Sequence, residues 1–546
     1  MGRKILLITT DQQRYDAWGC NGGTIARTPN VDALAAAGTT YRRCHPQSVV
    51  CMPSRSTIIT GQHVSTHGVW MNGVALPVDA PSVARVLGAA GYRTALFGKA
   101  HFEPFFDLFG RYRENALARD GSTGPHRGFD HLELATHGPT GSLHYATWLR
   151  ANHPEVISGF FPVLDEHLQV SALGGGDTGA PQVKCNTVPR EWYHTDWVAD
   201  RAISWLNSLE TDDDWFCWVS FPDPHHPWNP PASEMHRVNW RDLDLPEGYI
   251  ADAATREAVL DAKPRHWRRW YDGDLVANYE APPRWVPASL TADQVREVNA
   301  NVHVENELID EAIGRLMSCV DARGWDAATD VLVTTDHGEF QGDYGLLFKG
   351  PYHVDSLMRI PLIWRPSTVP TASQPGAADS GLGSPTTTTA TATPRTTTAT
   401  TAPPTADVRA LEVHAPVGLV DLAPTLCGIA GVAVPAWMEG RVLPVSDAAA
   451  GADRRVLTEW DSALFGVRMA LRTIARDGWI ATAYLPGTVH DGTEGELYNC
   501  SDDPLQRVNR WNDPAVRGVQ ADLLADVRAA IPPPDLASRR PLEAPV

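Results

Sequence analysis

The sequence predicts an α/β protein: a large mixed, mostly parallel sheet sandwiched by helices, with a smaller C-terminal α+β part. Short apolar runs alternate with segments of helical period over most of the chain, the pattern of βαβ units. From about Val456 the texture changes to closely spaced β-like runs and one closing helix. The length of 546 residues, at ~150 per domain, accommodates one large domain and a smaller one.

The elements follow in order. KILLIT (Lys4 to Thr9) reads as a buried strand, and residues 31–37 as a short helix after Pro29-Asn30. Residues 81–90 read as a helix stopped by Gly91, and residues 94–97 as a strand. Residues 197–209 are helical in period, residues 215–221 form an apolar strand, and residues 292–320 carry a long helical pattern ending before Gly324. Residues 330–335 and 360–364 are two further strands. Thr386 to Thr405 holds 12 Thr in 20 residues and no large apolar side chain, so a disordered insert is expected over about 367–407. Globular texture resumes at PVGLVDLAPTL, which places this insert inside a domain spanning 1–450. Residues 451–546 form the C-terminal α+β part, with RVLTEW, VRMALRTIA and WIATAY as its strands and a helix near 515–530.

Composition excludes several classes. The charge sum, 46 − 65 = −19, argues against a nucleic-acid or anionic-membrane binder. No apolar run of 18 or more residues offers a membrane span, and no signal-type h-region precedes the first strand. Eight scattered cysteines without a CxxC pair fit a reducing, cytoplasmic setting.

Five short signals carry chemistry. Asp11-Gln12 falls at the carboxyl end of the first strand, where ligands of open α/β sheets sit. Alone it reads equally as a polar turn; as a site, it suits a hard cation. Cys51-Met52-Pro53-Ser54-Arg55 falls at the mouth of a helix, with Ser54 a candidate cap. A helix N-terminus beside Arg55 would lower the Cys51 pKa and make it a candidate nucleophile, the alternative being an inert buried thiol. Lys99 and His101 in GKAH lie two apart after a strand, on one side of an extended segment. His225 and His226 sit between two prolines that stiffen their loop, as ligands, acid/base groups or plain loop residues. Asp336-His337, followed by Lys349, repeats the Asp11 placement at another strand end, as two halves of one metal site would.

Taken together and in order, these motifs resemble the sulfatase family of the alkaline phosphatase superfamily. CMPSR with Thr60-Gly61 has the form C-x-P-S-R-x-x-x-x-T-G, and the resemblance extends through GKAH, HRGFD, PHHP, TTDHGEFQGDYGLLFKG, APVGLVDLAPTL and GELYNCSDDP. It implies that a formylglycine-generating enzyme oxidises Cys51 to formylglycine, whose hydrated aldehyde attacks sulfur and then expels sulfate. It implies a cation held by Asp11, Gln12, Cys51, Asp336 and His337. Calcium is usual in the family, but one fewer carboxylate and an imidazole leave magnesium or manganese open. Arg55 would stabilise the formylglycine oxyanion, and Lys99 and Lys349 would clamp the sulfate. His101 would hydrogen-bond the diol, and His225, alone or with Lys349, would protonate the leaving oxygen. Asn72 would make a polar substrate contact. The substrate is then a small anionic sulfate ester, with aryl, alkyl, sugar and choline leaving groups all open. Phosphonate monoester hydrolases and phosphodiesterases share the nucleophile and the Asp-Gln pair but tend to lack the Lys-x-His pair present here at Lys99 and His101. A metal-stabilised binding module without activity is the third reading.

Overall fold

The computed structural model describes residues 3–107, 109–163, 171, 174–276, 280–282, 284–369, 410–451, 453–464 and 466–531. The Thr-rich segment, most of the expected insert and residues 532–546 lie outside them.

An eight-stranded sheet organises the chain. Its strands are β1 (Lys4–Thr10), β2 (Thr39–Tyr41), β3 (Arg93–Gly98), β4 (His131–Leu134), β5 (Trp215–Ser220), β6 (Thr329–Thr335), β7 (Leu362–Arg365) and β8 (Leu411–Val413), in the order β8-β2-β7-β6-β1-β5-β3-β4. Only β7 runs antiparallel to its neighbours. The continuous apolar runs of β1 and β5 arise because both sheet faces are covered. Ile5 and Leu7 face a core closed by α2 (Cys51–Thr60) and α3 (Val83–Ala89). Leu6 and Ile8 face the opposite core, closed by α1 (Pro29–Ala36), α4 (His194–Ser208) and α5 (Ala292–Ala322). A capping box starts α5, Thr291 accepting from the Gln294 N–H and Gln294 accepting in return.

The C-terminal part is a separate antiparallel sheet of four strands, β9 (Val456–Leu464), β10 (Val467–Arg476), β11 (Trp479–Tyr484) and β12 (Gly495–Asn499). The closing helix α6 (Arg517–Ala530) lays Leu523, Leu524 and Val527 against its Ile474, Ala481 and Leu497. No helix among the described residues is long and apolar enough to cross a membrane.

Candidate active site

Four adjacent parallel strands, β6-β1-β5-β3, deliver polar residues from their carboxyl ends to one place. β1 runs into Asp11 and Gln12, β6 into Asp336 and His337, β3 into Lys99, and β5 into the loop carrying His225 and His226. Gly98 makes the β3 exit possible: its φ is 96°, and a Cβ there would lie 1.9 Å from the Ser220 carbonyl oxygen. The β5 loop is tied down by Asp223, whose carbonyl accepts from Asp11 N–H at 3.0 Å and whose carboxylate meets His194 Nε2 and Thr195 Oγ1, both at 2.6 Å.

Cys51 is the first residue of α2, buried beside the carboxyl ends of β1 and β6. Its Sγ lies 3.2 Å from His337 Nε2, 3.3 Å from Lys349 Nζ and 3.8 Å from Asp11 Oδ1. Ser54 is not the cap. The helix begins at Cys51, and Ser54 Oγ instead donates to the Asp336 carbonyl at 2.6 Å, locking α2 onto the end of β6. Nor is the thiol acidified as a helix N-terminus would suggest. Burial and the Asp11 carboxylate push it up to about 12, outweighing Lys349 and Lys99.

All five Arg55 N–H groups are spent inside the protein. Nε donates to Asp336 Oδ2 at 2.8 Å, Nη1 to the Lys99 carbonyl at 2.6 Å and Ser220 Oγ at 2.7 Å, and Nη2 to Asp11 Oδ2 at 3.1 Å and the Thr10 carbonyl at 3.4 Å. Lys99 ion-pairs with the same Asp11 oxygen and donates to His137 Nε2 at 3.0 Å. Burial alone would raise the Asp11 pKa, but Lys99, with Arg55, holds it well below the usual carboxylate range. The pairing leaves Asp11 Oδ1 directed at Cys51, beside His337 Nε2, whose ring is oriented by Nδ1–H donating to the Gly338 carbonyl at 3.0 Å. Ligand atoms of Asp11, Cys51, Asp336 and His337 all lie within 4.8 Å of one another. Gln12 reaches the site differently: its Oε1 accepts from Lys349 at 2.7 Å, and its Nε2 faces Glu339 and, at 3.2 Å, His226 Nδ1.

The remaining residues line one cavity of about 60 Å³ with Cys51: Asn72, Lys99, His101, His225 and His226 among them. Lys99 and His101 share this wall although the segment is not extended, His101 having a φ of 53°. Neither ring nitrogen of His101 has a hydrogen-bond partner among the described residues. Burial, then Lys99 and Arg55, keeps His101 neutral, and burial, then His226 and Lys349, does the same for His225. Lys349 Nζ donates to His225 Nε2 at 2.8 Å. Asn72 accepts from the Met52 N–H at 2.9 Å and donates to Glu280 at 2.8 Å.

Three residues were not singled out from the sequence. Glu280 ion-pairs with Lys349 and approaches His225 Nε2 at 3.3 Å. His137 stacks on His225 with ring centroids 4.1 Å apart. Glu339, its carboxyl raised to about 7 by burial against several hydrogen bonds, holds Gln12. Glu339 lies two residues beyond His337 in the DHGEF run, the one hint of the three.

Known proteins can be set beside this geometry. A family profile described as Sulfatase matches residues 3–432. The uncharacterized sulfatase YidJ of Escherichia coli K12 is 25% identical over 361 residues, 66% of this chain and 62% of that protein. An arylsulfatase of Clostridium perfringens is 26% identical over 360 residues, 64% of this chain and 66% of that protein. The chain thus spans a little under two thirds of the length of both. In fold it is similar to the phosphonate monoester hydrolase of Agrobacterium radiobacter, with a TM-score of 0.70 at 21% identity, covering 97% of this chain and 96% of that one. With the profile running from β1 past β8, the chain belongs to the sulfatase family, within the alkaline phosphatase superfamily.

Proposed function

We propose that the protein hydrolyses a sulfate monoester to an alcohol and inorganic sulfate, with Cys51 carried as formylglycine and a divalent cation beside it. One observation carries this reading: Cys51 at a helix start, ringed by Asp11, His337 and Lys349 within 3.8 Å of its sulfur. The thiol itself is a poor nucleophile, since its proton is held to about pH 12. As formylglycine, made by a formylglycine-generating enzyme, the residue would add water to form a geminal diol, one hydroxyl of which displaces the alcohol from sulfur while deprotonation of the second expels sulfate and restores the aldehyde.

The donor set fits a cation. Asp11 Oδ1 and His337 Nε2 face Cys51, and Asp336 Oδ1, which accepts from the Gln12 and His337 N–H groups at 3.0 Å, lies 3.7 Å from His337 Nε2, while Asp11 Oδ2 and Asp336 Oδ2 are tied to cationic side chains. Gln12 would complete the set only by sharing its Oε1 with Lys349. When bound, the cation supplies Lewis-acid polarisation of the sulfuryl oxygens and acidifies the attacking hydroxyl. Calcium, magnesium and manganese all accept carboxylate oxygens, and the imidazole suits calcium least.

The chain's own groups divide the remaining work. Arg55 acts as a positioning residue: with no N–H left for an oxyanion, it sets the two carboxylates in place. Lys99 and Lys349 supply fixed positive charge where sulfuryl oxygens gain negative charge. His101, neutral with open ring nitrogens, accepts the proton whose loss releases sulfate. His225 with Lys349 delivers a proton to the leaving oxygen, and the charge of a bound ester favours protonating that imidazole. Asn72 contributes through Glu280 and through the first turn of α2.

Initial rates on an aryl sulfate, choline sulfate, an aryl phosphonate monoester and a phosphodiester test the reading. The sulfates should lead in kcat/KM, since Lys99 and His101 stand at the cavity wall. A phosphonate or diester preference of tenfold or more, on the order of 1.4 kcal/mol, would overturn it in favour of the phosphonate alternative. Mass spectrometry of the Cys51 peptide should show CHO in place of CH2SH, and a free thiol in fully active protein would refute the modification.

A further inference from the structure

Gln182 lines the same cavity as Cys51 and Lys99, and the chemistry above leaves it unused. It follows the two-residue strand Ala180–Pro181 and is fully buried. Its φ of 54° lies in the left-handed region that side chains seldom occupy. The backbone there is employed, the carbonyl accepting from the Trp228 N–H at 2.9 Å. The side chain is not: neither Oε1 nor Nε2 has a hydrogen-bond partner among the described residues. A buried amide with both donor and acceptor unspent by the protein needs water or a ligand to complete it, and at a cavity wall a bound ligand can take that place. Strained backbone held at a ligand cavity points the same way.

The cavity lining also includes Phe105, Phe106, Val163 and Pro227. These residues offer apolar surface together with the unspent Gln182 amide. We propose that Gln182 reads the leaving alcohol, which is a compact group with an apolar face and a neutral hydroxyl or amide paired to the Gln182 side chain. An ionised substituent at that spot would be desolvated against a partner without net charge. The inference rests on the ester-hydrolase reading above and adds the class of alcohol to it.

The test uses matched esters. 4-Methylphenyl and 4-(hydroxymethyl)phenyl sulfates have leaving groups of similar acidity, so their ratio of kcat/KM isolates recognition of the hydroxyl; the 3-substituted pair covers the other geometry. The wild type should favour a hydroxymethyl ester by about tenfold or more, because a site built around a polar partner rejects the analogue that lacks it. Gln182→Leu, free of a β-branch and close in volume, should bring that ratio to within about threefold of one. Gln182→Met is the second variant, should the first fold poorly. A wild-type ratio near one in both pairs, or a preference that survives in a folded variant, overturns the proposal. The same four alcohols as phosphonate esters separate the two readings. Turnover confined to phosphonates, with the Gln182-dependent preference intact, would sink the sulfate reading and leave Gln182 standing, whereas sulfate turnover without the preference does the reverse.

Discussion

Lys349 and Lys263 are both buried ammonium groups paired with a glutamate, and they differ in what surrounds them. Lys263 Nζ donates to Tyr498 Oη at 2.6 Å, the Gln506 carbonyl at 3.0 Å and Glu496 Oε1 at 3.4 Å, and lies 4.4 Å from the Trp267 ring centroid and 4.7 Å from those of Tyr344 and Tyr498. Its three donors are consumed, and the other Glu496 oxygen takes the Tyr484 hydroxyl. Lys349 meets Glu280, Gln12 and His225, and one further partner, Cys51 Sγ, at the wall of a cavity. Burial lowers the Lys263 pKa and Glu496 only partly restores it. For Lys349 the burial penalty is exceeded by Cys51, Glu280 and Asp11, and its pKa is raised. Burial and ion pairing therefore do not single out a functional lysine. The distinguishing feature is a set of partners that opens onto a cavity, through Cys51 and Glu280.

The strongest way to break this contrast is to strip divalent ions. Thorough chelation should cut turnover on the order of 10³-fold, the worth of several kcal/mol of charge stabilisation. Far-UV circular dichroism should stay unchanged, because Arg55 and Lys99 already balance Asp11 and Asp336. Adding back calcium, magnesium and manganese in turn then ranks them. Full activity in stripped protein would remove the reason for calling this network open.

Substituting the two lysines sharpens it. Lys349→Met should lower kcat by roughly 10²- to 10³-fold, the usual loss for one preorganised charge donor. Lys263→Met should leave kcat per folded molecule nearly intact and cost about 3–5 kcal/mol of stability, because Glu496 is left buried and unpaired. Thermal melts and active-site-normalised rates read both effects. Equal catalytic losses in the two variants would show that the closed network also serves the reaction.

The same contrast explains what was legible in the sequence. The strands β1, β5 and β6 were readable because burial on both faces demands unbroken apolar runs. Asp11, Cys51, Lys99, His225 and Asp336 were readable because each sits at a strand end or helix start, where local chemistry leaves a pattern. Glu280, His137 and Gln182 carry no such pattern. Each lies in an irregular segment and gains its meaning from partners far along the chain, as Glu280 does from Asn72, 208 residues away. The pKa of Cys51 was misjudged for a related reason: the local helix start argues for acidity, but Asp11, 40 residues earlier, and complete burial decide otherwise. Lys263 and Glu496, 233 residues apart, show that closed networks are equally hidden.

The smallest expected effect concerns acid stability in the closed region. His353 is fully buried, with Nδ1 2.6 Å from Thr473 Oγ1 on β10. Burial, with Arg472 second, pushes its pKa down to about 3. The unfolded chain binds a proton near pH 6.5 that the folded protein refuses, so this contribution is complete above that pH and is lost as pH falls toward 3. At pH 5 the loss is about 2 kcal/mol, at ~1.4 kcal/mol per pH unit. In His353→Gln the titrating group is gone, and the melting-temperature gap between variant and parent should narrow as pH drops from 6.5 to 4.5. A gap that stays constant over this range would mean that the folded protein protonates His353 as readily as the unfolded chain, and that its surroundings are not closed.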